Sequence, residues 1–276
     1  MCASCGSSQF RLMFAHHNNW KVERCLSCGL VQVHPLPAHA EIASLYHNDL
    51  EHFDPYEAQL DVHRRYFRKK IRELKLHGSV LDVGCALGAF LEEAEKKGLD
   101  AFGIDISADA VAYCRQKGLR AYKGSLKGFN PVSERIDAIT AFEVIEHERE
   151  PLAMLKRAYK LLRNGGTITI TTPNHDSFWR KIMGKWWFGY QHPEHLFFFD
   201  PKSLRRILEN AGFTDITVTR DTPRPFPLSF ALTRIADYFP WMEFLAVPLG
   251  KWFVRYAIMV PVNPWDDIIA TAHKKI

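Results

Sequence analysis

The sequence predicts an α/β protein built on a doubly wound, mostly parallel sheet of seven strands. The apolar run Ser79–Val83 leads through a turn that contains Gly84 and Gly88 into a helix-forming segment. A second apolar strand follows and ends in the carboxylate of Asp105. Strand and helix patterns then alternate along the chain, an order that places ligands beyond the carboxyl ends of the strands.

The remaining core elements follow the same alternation. Short apolar runs predict further strands over residues 120–125, 135–142, 165–173, 213–219 and 267–273. A helix is predicted over 151–162, and a Gly165-Gly166 turn leads from it into the next strand. Before the first core strand, helical stretches are predicted over 38–46 and 56–76.

Composition indicates a globular protein of ordinary charge. The chain has 276 residues, of which 47% are hydrophobic and 24% charged, and its net charge is +5. These values exclude a disordered chain. The densest basic run, residues 63–72, reads as the solvated face of a helix, so there is no strong signal for nucleic acid. The N-terminus lacks a basic segment followed by an apolar one, which predicts a cytoplasmic protein without a signal peptide.

Four cysteines form two pairs near the N-terminus, Cys2-x-x-Cys5 and Cys25-x-x-Cys28, and each pair is followed by glycine. This spacing is typical of a zinc ribbon, in which four thiolates close a tetrahedral structural site. Two disulfides are the competing interpretation, which a reducing compartment disfavours. The basic and aromatic residues in this segment are too few to argue for nucleic-acid binding by a ribbon.

The glycine turn differs from a dinucleotide-binding turn, because its spacing is Asp82-x-Gly84-x-x-x-Gly88. An acid within the turn would repel a pyrophosphate but suits a cationic ligand with an amino-acid tail. Here the chain resembles the class I S-adenosylmethionine (SAM)-dependent methyltransferases, whose fold is Rossmann-like. The resemblance implies that a SAM site is formed by Asp82, Gly84, Cys85 and Gly88 around the methionine moiety, Asp105 at the ribose hydroxyls, Ile106 and Ser125 at the adenine, and Glu143 along the pocket.

A second motif follows the strand over 135–142. Glu143, Glu146 and His147 have i, i+3, i+4 spacing, so on one helical turn their side chains would converge. With His195, they resemble the motifs of metal-assisted hydroxyl methyltransferases, including the ubiquinone-pathway O-methyltransferases. The resemblance implies a divalent cation, magnesium or manganese, held by these four side chains. In the alternative, Glu143 only lines the cofactor pocket, and His147 or His195 is a general base.

Two later segments are unusually apolar. Residues 174–200 are rich in aromatic rings, which indicates either a lid over an acceptor pocket or a satellite hydrophobic cluster. Residues 223–262 carry two amphipathic helical stripes and more basic than acidic side chains. No apolar run there reaches the roughly 18 residues that a spanning helix needs. This segment is interpreted as a pocket cap, a homodimer surface or a helical hairpin at a membrane interface.

These observations divide the chain into five parts: a zinc ribbon (1–37), a linker with helices (38–77), the methyltransferase core (78–222), an amphipathic helical insertion (223–262) and the final core strand (263–276). The expected function is SAM-dependent methylation of a hydroxyl on a small-molecule or lipid-linked acceptor. A sugar or glycoconjugate is favoured because ribbons of this kind resemble those that precede bacterial sugar methyltransferases. The expected location is the cytoplasm, with peripheral contact at the inner membrane face left open.

Two other functions remain open at this stage. One is methylation of the 2′-hydroxyl of small RNAs, favoured by the acid–histidine motif alone. The other is a non-catalytic scaffold that keeps the methyltransferase fold and acts through the zinc ribbon. The sequence does not distinguish O-methylation from N- or C-methylation.

Overall fold

The structure, a computed structural model, describes residues 1–15, 20–38, 59–130, 136–223, 225–232, 240–256, 258–261 and 266–276. The strands in this part of the chain are β1 (Phe10–Ala15), β2 (Lys21–Cys25), β3 (Val31–His34), β4 (Ser79–Val83), β5 (Asp100–Asp105), β6 (Ala121–Lys123), β7 (Ile136–Phe142), β8 (Leu162–Pro173), β9 (Phe197–Phe198), β10 (Thr214–Arg220), β11 (Pro225–Pro227), β12 (Met259–Pro261) and β13 (Asp267–His273). The α-helices are α1 (Leu60–Glu73), α2 (Ala89–Glu95), α3 (Ala108–Gln116), α4 (Pro151–Leu161), α5 (Phe178–Met183), α6 (Phe188–Gln191), α7 (Pro201–Ala211) and α8 (Glu243–Phe253).

Seven strands form one sheet in the order β10-β13-β8-β7-β4-β5-β6. The pairs β6/β5, β5/β4, β4/β7 and β7/β8 are parallel, whereas β13 is antiparallel to both of its neighbours. This arrangement confirms the predicted mostly parallel sheet. Because β4, β5, β7 and β8 run in one direction, the loops that follow them meet at a single edge.

Helices cover both faces of this sheet, as a doubly wound fold requires. On one face, α1, α2 and α3 bury side chains such as Phe67, Phe90 and Val111 against the strands. On the other, α4 and α7 bury Leu155 and Leu204. The two layers leave the carboxyl edge of the parallel strands between them for a ligand site.

The predicted Gly165-Gly166 turn lies inside β8, because that strand begins at Leu162. The pairing of β7 with β8 shifts register at this point. A Cβ on Gly166 would lie 2.9 Å from the carbonyl oxygen of Arg163, so the irregular backbone leaves no room for a side chain there. The helix expected over 56–76 runs from Leu60 to Glu73, and the stretch expected over 38–46 falls almost wholly outside the described residues.

The N-terminal strands belong to a second sheet, of order β1-β2-β3-β9. We call these four strands the ribbon sheet. Its fourth strand, β9, is supplied by the aromatic segment that follows β8. The predicted ribbon is therefore completed by residues of the methyltransferase core.

The two ends of the insertion before the last strand are joined in a two-stranded sheet, in which β11 pairs with β12 in antiparallel orientation. The described residues between them include a helical stretch over 228–232, a 3₁₀ turn (Pro240–Met242), α8 and a second 3₁₀ turn (Val254–Tyr256). Within the described ranges, every helix is too short or too polar to cross a bilayer.

Candidate active site

The glycine turn after β4 lies at the carboxyl edge of the parallel strands and has positive φ angles. Gly84 and Gly88 have φ of 71° and 78°, and even Ala86 between them has φ of 44°. A Cβ on Gly84 would lie 2.5 Å from Cγ2 of Val144, and one on Gly88 would lie 2.6 Å from Cδ1 of Leu119. The turn is therefore packed from behind at both glycines, and glycine alone fits this backbone.

Asp105, at the end of β5, has a fixed carboxylate. Its Oδ2 accepts the N–H of Ala86 at 2.9 Å, and its Oδ1 accepts the N–H of Ser107 at 2.9 Å. Two carboxylate oxygens fixed in this way suit two vicinal ribose hydroxyls. The first of these bonds also ties the β5 carboxylate to the glycine turn after β4.

Asp82 lies one strand position before this turn and is buried. It accepts the Thr140 hydroxyl at 2.6 Å across the parallel pair of β4 and β7. Burial raises the pKa of Asp82 to about 7, and the charge of Asp105 acts in the same direction. The hydrogen bond from Thr140 lowers the pKa but does not outweigh these two effects. A cationic ligand nearby would favour its ionised form.

The other predicted cofactor residues differ in exposure. Ile106 follows Asp105 and is 57% exposed, as expected for an apolar side chain that an adenine ring would cover. Ser125 is exposed after β6. Cys85 is buried against Gly103, so its contribution to the site is through its main chain. A hydrogen bond with Cys114, together with burial, raises the pKa of the Cys85 thiol, which keeps it protonated.

The acid–histidine motif does not form the predicted helical turn. β7 ends at Phe142, and Glu143 has φ of 57°, outside the helical region. Glu143 is held by Thr171 on β8: its N–H donates to the Thr171 carbonyl at 3.1 Å, and its Oε1 accepts the Thr171 hydroxyl at 2.7 Å. Its side chain therefore lies outside the group formed by the other three predicted ligands.

Glu146, His147 and His195 are brought together, with one ligand atom from each within 4.8 Å of the other two. Glu146 is 1% exposed, and among the described residues neither of its carboxylate oxygens has a hydrogen-bond partner. Burial, with the nearby charge of Glu143, raises its pKa well above 4.5. An orphaned buried carboxylate beside two imidazoles fits a divalent cation, which would satisfy those oxygens.

His195 is oriented by the main chain. Its Nδ1 lies 2.8 Å from the carbonyl oxygen of Gly189, which can only accept, so Nδ1 carries the proton and Nε2 keeps its lone pair. The ring also packs edge-on against His147, with centroids 4.7 Å apart. Burial, with the neighbouring His147 and His192, lowers the pKa of His195 well below 6.5. The neutral imidazole is the form that binds a cation or accepts a proton.

Sequence reasoning missed two contributors to this site, the Gly189 carbonyl and Thr171, and it also missed Asp266, a buried acid at the same edge of the sheet. Asp266 is buried beside Trp187, whose Nε1 donates to it at 3.2 Å, and burial raises the pKa of Asp266 to about 7. A main-chain acceptor leaves no trace in a sequence. Thr171 lies near the carboxyl end of β8, and Asp266 lies directly before β13, at the same edge of the sheet. This position at the ligand-binding edge is the one signal in the sequence that could have marked them as site residues.

The four N-terminal cysteines also form a compact group. The Sγ atoms of Cys2 and Cys28 are 3.4 Å apart, and those of Cys5 and Cys25 are 3.7 Å apart, with every cysteine in the chain unpaired. A tetrahedron with Zn–S bonds of about 2.3 Å has edges of about 3.8 Å, so these separations fit a zinc site. Burial acts to raise the pKa of Cys25, but N–H groups of Cys28 and Ser27 outweigh it and lower the pKa to about 7, which favours a thiolate.

The aromatic segment is chiefly a buried cluster. Trp187 and Tyr190 are fully buried against Trp20 and the ribbon sheet, whereas Phe178 is exposed. The exposed part borders a cavity of about 250 Å³ after the end of β8. It is lined by Asn174, Asp176, Ser177, Phe178 and Arg220. The cluster interpretation thus describes Trp187 and Tyr190, whereas Phe178 and Trp186 are exposed.

Comparison with known proteins places this geometry in a family. Residues 50–218 match the model of the methyltransferase domain family, to which the chain belongs. A ubiquinone biosynthesis O-methyltransferase from Methylococcus capsulatus is 35% identical over 103 residues, 34% of this chain and 43% of that protein. The corresponding protein from Coxiella burnetii is 24% identical over 207 residues, covering 71% and 88%. The chain spans between 43% and 66% of the length of three of the first relatives.

A SAM-dependent methyltransferase structure from Thermotoga maritima has a TM-score of 0.57 at 18% identity and covers 84% of this chain and 99% of that one. The fold is therefore that of the class I SAM-dependent methyltransferases, as the resemblance in the glycine turn predicted.

Proposed function

We propose that this protein transfers the methyl group of SAM to a hydroxyl oxygen of an acceptor. The observation that carries the proposal is the position of the Glu146, His147 and His195 group. Glu146 and His147 lie in the loop after β7, and Val144 of the same loop lies against Gly84 of the cofactor turn. The acid–histidine group and the cofactor turn thus share one edge of the sheet, where a methyl donor and an acceptor can meet.

SAM supplies an electrophilic methyl group when bound. The chain's own residues then have three tasks: Asp105 and the glycine turn fix the donor, the acid–histidine group fixes the acceptor oxygen, and one base receives its proton. Where no cation occupies these histidines, Nε2 of His195 or a nitrogen of His147 would accept the hydroxyl proton, while the methyl group leaves the donor sulfur for the acceptor oxygen. Holding donor and acceptor in line accounts for roughly 7–11 kcal/mol of the barrier in well-oriented reactions.

A divalent cation would be held by Glu146, His147 and His195, where it would lower the pKa of a hydroxyl beside it. A set of two imidazoles and one carboxylate suits manganese better than magnesium, which prefers oxygen ligands throughout. Glu143 is assigned to the cofactor side, because Thr171 already holds its carboxylate.

The test is calorimetric titration of SAM with and without manganese, followed by transfer of labelled methyl to candidate acceptors. Saturable SAM binding that manganese strengthens, and methyl transfer that a chelator abolishes, would support the metal-assisted reaction. Methyl transfer that a chelator does not change would exclude the metal-assisted reaction and favour general-base catalysis by a histidine. Absence of SAM binding would favour the scaffold function.

The proposed acceptor is a sugar or glycoconjugate, or another hydroxyl compound, linked to a lipid. Support comes from an apolar patch on the insertion, which we define as the exposed side chains of Trp241, Phe244, Leu245, Leu249, Trp252 and Tyr256. Lys and Arg outnumber Asp and Glu four to two over residues 223–262. Interfacial helices combine Trp and Tyr with flanking basic residues, so we propose peripheral contact with an anionic membrane face.

Cosedimentation with anionic vesicles tests this placement. Trp252→Glu, at a side chain 47% exposed within the patch, should abolish pelleting, whereas Trp186→Glu, at one 64% exposed outside it, should leave pelleting intact. Failure of the unmodified protein to pellet would contradict the proposed membrane contact. A dimer that Trp252→Glu dissociates would assign the patch to a second copy of the chain. Methylation of small RNA, with steep dependence on salt, would replace the lipid-linked acceptor.

A further inference from the structure

We propose that the ribbon sheet is a positioning element of the active site: a cation on the four cysteines keeps His195 in its working orientation. The inference rests on the proposed role of His195. Two contacts join the ribbon sheet to the segments that hold that imidazole, and a third joins the sheet to the cysteine group.

The first contact is through Leu196, the residue after His195. Its N–H donates to the carbonyl of Glu146 at 2.8 Å, and its own carbonyl accepts the N–H of Val33 on β3 at 2.9 Å. Phe197 and Phe198 then pair with Gln32 and Val31. Leu196 is thus fixed between a proposed cation ligand on one side and the ribbon sheet on the other.

The second contact is through the turn that carries Gly189, the acceptor of the His195 Nδ1 proton. Trp187 and Tyr190 on either side of Gly189 are buried in one cluster with β2 and β3. The Tyr190 ring packs edge-on against Phe14 of β1, with centroids 4.8 Å apart. A Cβ on Gly189 would lie 2.4 Å from the Trp187 ring, so this turn is tightly packed.

The third contact joins β3 to the cysteine group itself. The Gln32 side chain is fully buried, and its Oε1 accepts the N–H of Ala3, between Cys2 and Cys5. The N–H of Cys25 donates to the carbonyl of Leu30 at 2.9 Å, at the entrance to β3. Small modules built on four thiolates lose their structure when the metal is removed, so β3 would lose both attachments.

Hydrogen exchange measured by mass spectrometry tests the inference without any acceptor. Protein with zinc bound is compared with protein stripped by a chelator. Exchange should accelerate in residues 20–34 and also in 187–198, while β5 keeps its protection. Binding of Mn²⁺ at the acid–histidine group, followed by electron paramagnetic resonance, should weaken 10–100-fold on zinc removal, the usual effect of losing a contact that orients a ligand.

A pair of variants distinguishes this effect from general unfolding. Gln32→Ala keeps all four thiolates but removes one of the two attachments between β3 and the cysteine group, so exchange over 187–198 should rise while zinc content is unchanged. Gln9→Ala, at an exposed glutamine near the same cysteines, should change neither. Acceleration confined to residues 1–34, with 187–198 as protected as before, would overturn the inference. If the zinc-bound protein binds no Mn²⁺, the cation in the proposed function fails, and the exchange pattern still decides the inference.

Discussion

The carbonyl oxygen of Glu146 accepts the N–H of Leu196 at 2.8 Å, which fixes two segments that are distant in the chain directly against each other. His195 immediately precedes Leu196, so its imidazole and the side chain of Glu146 face a common point. This backbone contact builds the acid–histidine group, because both of its histidine-bearing segments are anchored before any ligand binds.

Glu146→Gln should separate stability from activity. The folded-state pKa of Glu146 is raised above its unfolded value, so its contribution to stability is lost as the pH rises through the folded pKa. At pH 8 the neutral glutamine should therefore raise the free energy of unfolding by about 0.5–2 kcal/mol. Methyl transfer should fall by about 10²-fold or more. Denaturant unfolding at two pH values and a labelled-methyl assay measure both effects.

Glu148→Gln is the matched control, since Glu148 lies in the same loop but outside the acid–histidine group. It should leave stability and methyl transfer near their original values. Equal losses of activity in the two variants would contradict a special role for Glu146.

Asp105→Asn should weaken SAM binding about 10–100-fold with the fold retained, because charge-assisted hydrogen bonds contribute about 1.5–3 kcal/mol. The amide would also place an N–H₂ group against a main-chain donor, either Ala86 or Ser107. Calorimetric titration gives the affinity, and circular dichroism checks the fold. Asp109→Asn, at an exposed acid on α3, should bind SAM normally; unchanged affinity in the Asp105 variant would refute the ribose contact.

SAM binding should strengthen between pH 6.0 and 7.5. The pKa of Asp82 in the free protein is about 7, and a cationic ligand favours the carboxylate. At pH 6.0 most Asp82 is protonated and must release a proton on binding, so affinity should be about tenfold lower than at pH 7.5. Asp82→Asn should remove this pH dependence while keeping the acceptor for Thr140. A persistent pH dependence in that variant would place the titrating group elsewhere.

Purified protein should carry about one zinc ion per chain on its four thiolates. Cys25→Ser should release that zinc and lower the stability of the N-terminal segment. Elemental analysis measures the zinc, and Cys114→Ala, at a buried cysteine far from the pairs in sequence, should retain it. Full zinc content in the Cys25 variant would contradict the ribbon site.

The acid–histidine motif shows where sequence reasoning succeeded and where it failed. Spacing alone suggested that Glu143, Glu146 and His147 share a helical turn. The backbone reverses at Glu143 instead, because Thr171 on the neighbouring strand holds both its N–H and its carboxylate. Pairing across strands is a tertiary contact, and local periodicity carries no information about it.

The amino-acid sequence by itself determined the alternation of strands and helices, the glycine turn after β4 and the carboxylate of Asp105 at the end of β5. These are local properties, since apolar periodicity and glycine positions act over a few residues. Only the tertiary structure decided that β9 completes the ribbon sheet and that the Gly189 carbonyl orients His195. Those relationships depend on hydrogen bonds between backbone groups that every residue possesses, so they arise from how the chain packs and not from which side chains it carries.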